Sequence, residues 1–344
     1  MIHLKFLMLF SLLSTSLCSL QCKNNRNFGV DWFAMFKLPP IKDKNPNHAT
    51  GMAFFYTDPS TSLAEATSDV GSKNGNPLYY TLSPMYSKDS EIGYMLISDQ
   101  PPHRITNPSD TYAHKKGVLI YDKDNGLYLE HSVPRYPNDP QVTTEYSYPD
   151  TGTNFGQSML CTSLTHEQIN DWAYGMLIER GYVVSYNAPS FTDLKMPNLR
   201  KVIDGEWIEK EVKTKVTDIQ LKTRSFKLFS KCRFWGLDLY HDLIAPTFST
   251  NVISETWARG TGTMTSNCTG AYKANNILTV SLGDVSWSRM NDHSKWAVAG
   301  DYVCIGGINR QDKQLERGGG TWCMKDANFA TLMRKSASEI EQCP

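Results

Sequence analysis

The chain has 344 residues, and its 35 Lys and Arg balance its 35 Asp and Glu, so the net charge at neutral pH is zero. This length is enough for two packed cores or for one large core. Zero net charge excludes attraction to a polyanion by overall charge, so any binding of nucleic acid would have to depend on a local basic patch.

Residues 1–19 have the order of a secretory signal peptide. Basic His3 and Lys5 precede a mainly apolar run, Phe6 to Leu13, and small residues follow before Cys22. The run is too short to span a bilayer, and no later stretch approaches twenty apolar residues. A buried N-terminal helix is the alternative interpretation. The sequence therefore predicts a soluble protein of an organelle lumen or the extracellular space.

The cysteines agree with export. Of eight, Cys18 would leave with the signal peptide, and an odd number in an oxidising compartment predicts three disulfides and one free thiol. No pair has zinc-finger spacing, so we predict no metal site and no cofactor. Asn267 begins an N-x-S/T glycosylation acceptor, whereas Asn107 is excluded by the proline that follows it.

Short apolar runs at Gly51–Tyr56 and Gly93–Ser98 predict strands, with a polar surface loop from Asp58 to Pro77 between them. Lys116–Asp122 and Leu127–Val133 predict a hairpin, because Asn-Gly stands at the turn between them.

A helix is predicted after Thr165, which forms a capping box with Gln168, and Gly181 lies beyond its end. Its apolar face consists of Ile169, Trp172, Ala173, Met176 and Leu177. A final helix is predicted from about Ala327 to Glu341, introduced by Asp326. Further strands are predicted at Tyr182–Tyr186, Val252–Trp257, Ile277–Leu282 and Tyr302–Ile305. Both halves mix strands and helices without strict alternation, which predicts an α/β or α+β fold.

One short motif recurs, once in each half. His-x-Lys occurs at His114/Lys116 and at His293/Lys295. On a strand, residues i and i+2 share a face, so each pair would present an imidazole beside an ammonium. The motif is short enough to arise by chance, as it does at His3-Leu4-Lys5 within the predicted signal peptide.

Two such pairs across a cleft suit hydrolysis of a phosphodiester without a metal ion. One neutral imidazole would attack phosphorus, and the other, protonated, would give its proton to the leaving oxygen. The lysines would stabilise the non-bridging oxygens. Because free imidazole has a pKa near 6.5, a half-protonated pair would work best in mild acid.

Several neighbouring residues are candidates for supporting roles. Asn309 follows Gly306-Gly307 after the second motif, and His131-Ser132 stands at the corresponding place after the first; a buried structural histidine is the alternative for His131. Arg317 and the glycines after it would form either a phosphate-binding nest or a tight turn. We expect Trp296 and Trp322 to be core residues rather than stacking platforms for bases. P-loop, GxSxG and HExxH motifs are absent.

At these residues the sequence resembles the deoxyribonuclease II family, a divergent branch of the phospholipase D superfamily. The resemblance covers nearly the whole mature chain through short matches in order: Val30–Phe33, Lys37–Pro39, Asp99–Pro102, His114–Asp122, His131–Pro134, Phe155–Gln157, Asp238–Tyr240, Asp292–Trp296 and Arg317–Thr321.

The resemblance implies a phospholipase D-like, pseudo-twofold pair of sheet-plus-helix halves, residues 20–165 and 166–344, which share one composite active site. It implies a lysosomal or secreted acid endonuclease that needs no metal and leaves 3′-phosphate ends on DNA. His114, Lys116, His293 and Lys295 would be catalytic, with His131 and Asn309 in support. The choice of nucleophile favours His114, with His293 as acid. The implied disulfides are Cys22–Cys161, Cys268–Cys343 and Cys304–Cys323, which leaves Cys232 free.

The sequence also departs from the family. Gly307 fills a position that is usually acidic, and Ala113 and Lys115 replace the common glycine and threonine beside His114. The segment 231–235 differs as well. None of these changes removes a catalytic residue type, so we expect an active enzyme.

The leading hypothesis is thus an acid endodeoxyribonuclease with DNA as its substrate and no membrane partner. The alternatives are a secreted DNA-binding or host-interaction protein with weak or no catalysis, and a phospholipase D-like lipid hydrolase. The sequence does not decide whether the protein forms a homodimer.

Overall fold

The structure is a computed structural model that describes residues 20–42 and 44–343. The predicted signal peptide, residues 1–19, lies outside the described residues. No helix in the described part is long and apolar enough to cross a membrane.

Two large sheets form the framework. The first contains β1 Trp32–Lys37, β2 Phe54–Asp58, β3 Thr61–Glu65, β4 Gly93–Ser98, β5 Lys116–Tyr121, β6 Gly126–His131, β7 Gln157–Leu164 and β8 Val183–Asn187. The second contains β9 Thr214–Gln220, β10 Ser225–Lys231, β11 Val252–Glu255, β12 Ala274–Leu282, β13 Val285–Ser288, β14 Trp296–Ala299, β15 Tyr302–Gly306, β16 Gly319–Lys325 and β17 Ala337–Ile340.

The helices lie between and around these strands: α1 Pro46–Ala49, α2 Pro77–Leu82, α3 His166–Glu179, α4 Thr192–Lys195, α5 Pro197–Asp204, α6 Ala245–Phe248, α7 Asp312–Leu315 and α8 Ala327–Ser336. A π-helical turn, Leu239–Ile244, precedes α6. The fold is therefore mixed α/β, as predicted.

The first sheet has the order β3-β2-β1-β7-β6-β5-β4-β8, and every pairing is antiparallel. The second has the order β13-β12-β11-β14-β15-β16-β10-β9, with β17 paired to β12. There, β11 and β12 run parallel, and the other pairings are antiparallel. The β5–β6 and β14–β15 hairpins each lie within their sheet, and each carries one His-x-Lys motif at its start.

The largest core lies between the two sheets. Phe36 of β1 meets Trp296 of β14 edge to face at 6.3 Å, and Tyr128 of β6 stacks with Trp322 of β16 at 6.0 Å. Helices α3 and α8 contribute to the same core. Two further cores cover the outer face of each sheet. Strands buried on both faces have continuous apolar sequences, which explains why short apolar runs predicted many of them.

Helix α3 has the predicted capping box at Thr165, but its end differs from the prediction. Arg180, not a glycine, takes the left-handed C-cap conformation, with φ of 63°. Gly181 is needed for packing instead, since a Cβ there would lie 2.1 Å from Cε of Met176. The glycine signal was correct in position but had a different cause.

Two other predicted elements were wrong in part. The final helix ends at Ser336, and the residues after it form β17, where Ile340 pairs with Ile277 of β12. Pairing of backbone groups to an existing strand replaces further helical turns at this point. The predicted loop from Asp58 to Pro77 contains an edge strand, β3, which is largely exposed and therefore lacks an apolar sequence signal.

The three disulfides are confirmed as Cys22–Cys161, Cys268–Cys343 and Cys304–Cys323, and Cys232 is free and buried. Cys304 and Cys323 face each other in the register of β15 and β16. Cys22–Cys161 ties the start of the described chain to β7 across 139 residues.

Removing Cys22–Cys161 by the double change C22S/C161S should lower the free energy of unfolding by about 2–5 kcal/mol, because the cross-link restricts a long loop in the unfolded chain. Urea unfolding without reductant measures this loss. Cys232→Ala, which removes a thiol but no cross-link, is the control and should cost less. Equal losses in the two variants would contradict a cross-linking role.

Candidate active site

Both His-x-Lys motifs lie at the entrance to a strand rather than within it. Lys116 is the first residue of β5, with His114 before it, and both His293 and Lys295 precede β14. We predicted that each pair would share one face within a strand, but the motifs instead lie just before their strands or at the first strand residue. All four side chains are buried.

The segment after each hairpin supplies a backbone carbonyl that accepts a hydrogen bond from the histidine of the other hairpin. His114, which leads into the first sheet, donates from Nδ1 to the carbonyl of Gly307, one residue beyond β15 in the second sheet, at 2.5 Å. His293, which leads into the second sheet, donates from Nδ1 to the carbonyl of Ser132, one residue beyond β6 in the first, at 3.0 Å. Because a carbonyl only accepts, both rings carry the proton on Nδ1 and leave Nε2 available.

Asp99 is the anionic centre of the first half-site. Its carboxylate binds Lys116 Nζ at 2.7 Å and Arg317 Nη2 at 3.1 Å, and Oδ2 lies 3.9 Å from Nε2 of His114. Burial alone would raise the pKa of Asp99, but the charges of Lys116, His114 and Arg317 outweigh it and hold the pKa well below its usual range. The carboxylate thus stays ionised in acid.

The second half-site is held by neutral acceptors. Oε1 of Gln157, at the start of β7, lies 3.3 Å from Nδ1 of His293 and accepts from the Ser132 hydroxyl at 2.6 Å. Lys295 donates from Nζ to the carbonyl of His293 at 2.6 Å, and its backbone N–H donates to the Ser158 hydroxyl at 3.0 Å. The second half-site therefore depends on the first sheet for its geometry.

Electrostatic effects link the two half-sites. Burial lowers the pKa of His114 and of His293 well below the usual value. Lys295 of the second motif lowers the pKa of His114 further, and Lys116 and His114 of the first lower that of His293. Burial and Lys116 also lower the pKa of Lys295. The four motif side chains share one buried, predominantly cationic site that an anion would stabilise.

The two predicted supporting residues lie near the site without hydrogen-bonding to a motif side chain within the described residues. His131 is the last residue of β6 and packs edge to face on Tyr136 at 5.3 Å. Burial and the charge of Lys116 lower its pKa to about 3. Asn309 donates its backbone N–H to Gln314 at 3.0 Å, and its buried side-chain oxygen has no partner.

Comparison with known proteins adds a decisive observation. The family profile for deoxyribonuclease II matches residues 21–343. The chain belongs to the deoxyribonuclease II family. It is a deoxyribonuclease II-like nuclease.

Curated relatives cover nearly the whole chain. Deoxyribonuclease-2-alpha of Rattus norvegicus is 32% identical, over 98% of both chains. Deoxyribonuclease-2 of Caenorhabditis elegans is 31% identical, over 91% of this chain and 92% of its own. Plancitoxin-1 of Acanthaster planci is 30% identical, over 94% and 93% respectively.

Several residues of this nuclease site were not predicted as functional from the sequence. Asp99 and Gln157 entered only as parts of the resemblance, and Ser132 only as the neighbour of His131. Arg317 was predicted to form a turn or a phosphate nest, but its guanidinium binds Asp99 and the carbonyls of Tyr112 and Ala113. An aspartate placed directly after a buried strand, as Asp99 is after β4, was the available signal.

Lys231 belongs to the segment that departs from the family, and it secures the turn that carries Arg317. Its Nζ donates to the carbonyls of Gln314, Leu315 and Arg317 at 2.9, 3.0 and 2.6 Å. Burial lowers the pKa of Lys231 to about 8. The three hydrogen bonds fix Arg317, and through it Asp99.

Gly307 lies where the family resemblance leads us to expect an acidic residue, and the structure gives a physical reason for a glycine. A Cβ on Gly307 would lie 2.6 Å from the backbone oxygen of His114 and 3.3 Å from Cα of Lys115. The side chain of Lys115 is buried and pairs with Glu130 at 3.1 Å and Glu179 at 3.0 Å. The two backbone segments approach each other so closely here that there is no room for a side chain at position 307.

Replacing Gly307 with Asp should lower stability by about 1–3 kcal/mol, the usual cost of overpacking, and should reduce DNA cleavage by displacing His114. Gly307→Ala, which adds volume without charge, should lose nearly as much. Urea unfolding and a plasmid-cleavage assay measure both effects. Higher activity in the Asp variant would show that an acidic residue fits after all.

His131→Gln should make stability less sensitive to acid. Because the folded-state pKa of His131 is about 3, against about 6.5 unfolded, the unfolded chain binds the extra proton between these values, so stability falls as the pH drops below 6.5. Removing this imidazole should reduce the slope by about 1.4 kcal/mol per pH unit.

Urea unfolding at several values between about pH 6.5 and pH 4.5 gives that slope. The exposed His103 supplies the control, and His103→Asn should keep the wild-type slope. An unchanged slope in His131→Gln would contradict a buried neutral imidazole.

Proposed function

We propose that this chain is a metal-independent acid endodeoxyribonuclease that hydrolyses DNA to 3′-phosphate ends through a phosphohistidine intermediate. The observation that carries the proposal is the reciprocal hydrogen bonding of His114 to Gly307 and of His293 to Ser132. It supports the proposal because a carbonyl occupies each Nδ1 and leaves Nε2 of both imidazoles for reaction with a phosphate.

In the first step, Nε2 of His114 attacks phosphorus, and the bond from phosphorus to the 5′ oxygen breaks. The departing oxygen takes the Nε2 proton of protonated His293. In the second step, His293 removes a proton from water, which attacks phosphorus and breaks the bond to His114, releasing a 3′-phosphate end.

The surroundings of each ring support this assignment. Asp99 lies 3.9 Å from Nε2 of His114 and would stabilise the positive charge of a phosphorylated imidazole. Burial of His293 and the nearby charges of Lys295 and Lys116 favour the release of its proton, and the hydrogen bond to the Ser132 carbonyl opposes this only in part. Lys116 and Lys295 would stabilise the non-bridging oxygens, the role otherwise taken by a divalent cation.

The electrostatics also support acid dependence. Burial and neighbouring cations depress the pKa of both imidazoles in the empty site, so His293 gains its proton only at low pH or when an anionic phosphate binds. Activity should therefore fall as the pH rises and His293 loses this proton, which sets the alkaline limb of the pH profile.

We further propose that the protein has a phospholipase D-like, pseudo-twofold architecture of residues 20–165 and 166–344 with one composite site. The equivalent positions of Ser132 and Gly307, each one residue past its hairpin, support this relation. The three disulfides and the glycosylation acceptor at Asn267 support a lysosomal or secreted location after removal of residues 1–19. His131 and Asn309 would support the catalytic groups.

The test is plasmid cleavage with excess chelator, about one to two units below the free imidazole pKa of about 6.5. Wild type should cut, and His114→Ala and His293→Ala should each lose about 10²–10⁴-fold in rate, because each removes one proton-transferring or nucleophilic group. His103→Ala controls for loss of an exposed imidazole. Susceptibility of the product to a 3′-phosphatase identifies the ends.

The other outcomes point elsewhere. A wild type that binds DNA without cutting it would favour a binding protein of the same fold. Cleavage of a phosphatidyl substrate, with DNA left intact, would favour a lipid hydrolase. Full activity in either histidine variant would overturn the two-histidine mechanism.

A further inference from the structure

A ladder of aromatic rings leads from His293 to the protein surface. The Trp257 ring meets the His293 imidazole edge to face at 4.9 Å, and the Phe155 ring meets Trp257 at 4.8 Å. The guanidinium of Arg259 lies 5.0 Å from the centre of the Phe155 ring. We call Phe155, Trp257 and Arg259 the aromatic ladder.

The ladder is accessible, whereas the other tryptophans near the motif are not. Trp257 and Phe155 are half-buried, and Arg259 is exposed. Trp296 and Trp322 are 1% and 0% exposed and belong to the core between the sheets, as the sequence predicted. Trp257 was predicted only as the last residue of the strand Val252–Trp257, without a functional role.

Backbone contacts fix the ladder to the second half-site. Gly156, next to Phe155, accepts from the N–H of His293 at 2.8 Å and donates to the carbonyl of Asn291 at 2.8 Å. The carbonyl of Trp257 accepts from Nε2 of Gln311 at 3.0 Å. Phe155 is thus positioned by the segment that is bonded to the His293 backbone, and Trp257 by its ring contact with His293 and its hydrogen bond from Gln311.

We propose that the aromatic ladder is a subsite for the nucleotide on the leaving-group side of the scissile phosphate, with its base stacked on Trp257 or Phe155. The inference rests on the proposed function, in which His293 protonates the departing 5′ oxygen. That nucleotide must lie on the His293 side, where the ladder begins.

The chemistry of the ladder fits a base followed by a phosphate. Every nucleobase offers a π face, so aromatic stacking binds bases without sequence preference. Arg259 at the outer end would neutralise the next phosphate, a contact that positions DNA without reading sequence. A base must leave its duplex stack to reach the rings, which favours single-stranded or locally opened DNA.

The experiment uses two matched oligonucleotides, each with one cleavable phosphodiester among methylphosphonate linkages. One carries thymine on the 3′ side of the cleavable bond, and the other carries an abasic tetrahydrofuran there. Trp257→Ala should lower kcat/KM for the thymine substrate by about 10- to 100-fold. On the abasic substrate it should match wild type within about twofold, because no base remains to stack.

Several variants separate stacking from folding. Trp257→Phe keeps an aromatic face and should retain most of the activity on thymine. On an oligonucleotide with an ordinary phosphodiester backbone, Arg259→Ala should reduce the salt dependence of binding by about one phosphate contact. Arg26 and Phe28 form a similar pair elsewhere, at 5.9 Å with the ring 64% exposed, so Arg26→Ala and Phe28→Ala are controls that should leave both substrates unaffected.

Equal losses on the two substrates in Trp257→Ala would overturn the subsite and show that Trp257 only supports the His293 ring. A wild type that cleaves neither substrate would instead overturn the proposed function, and the subsite with it.

Discussion

The site depends on two hydrogen bonds, in which the segment after each hairpin supplies a backbone carbonyl to the histidine of the other hairpin. Gly307 fixes the ring of His114, and Ser132 fixes the ring of His293, so each sheet supplies the acceptor for the other's imidazole. Neither ring keeps its tautomer unless the sheets are packed together. The core between the sheets, which includes Trp296 and Trp322, therefore sets the distance across which the two hydrogen bonds form.

Cationic side chains exceed anionic ones in the site, and this excess favours the binding of an anion. Asp99 offsets Lys116 and Arg317. Within the described residues, Nζ of Lys295 hydrogen-bonds only to the carbonyl of His293, and the carboxylates of Asp292 and Asp99 act on its charge without a hydrogen bond. Burying this excess of cations costs free energy in the empty enzyme, and a phosphodiester would recover part of that cost. The same burial depresses the pKa of His293, so substrate binding and proton uptake favour each other.

Periodicity and short motifs predicted those elements whose signals are local in the sequence. The β5–β6 hairpin, β4 and the capped start of α3 were predicted because their signals are local. The C-terminal ends of helices were harder to predict, because tertiary contacts decide both the Arg180 C-cap of α3 and the strand that follows α8. Asp99 and Gln157 were not predicted to have a role, and Arg317 was considered only for a backbone nest, because the side-chain partners of all three lie elsewhere in the chain. The disulfide pairing came from the family resemblance, which spacing alone would not have supplied.

Acid conditions oppose stability in this fold even as they favour the proposed chemistry. His131, with a pKa of about 3, and the two motif imidazoles remain neutral in the empty site, whereas the unfolded chain would protonate them. For His131 this costs about 1.4 kcal/mol for every pH unit between about 6.5 and about 3, and the lowered pKa values of the two motif imidazoles act in the same direction. The three disulfides act on the unfolded chain and do not titrate, so their contribution persists in acid. The covalent cross-links therefore offset part of the stability that the buried histidines lose in acid.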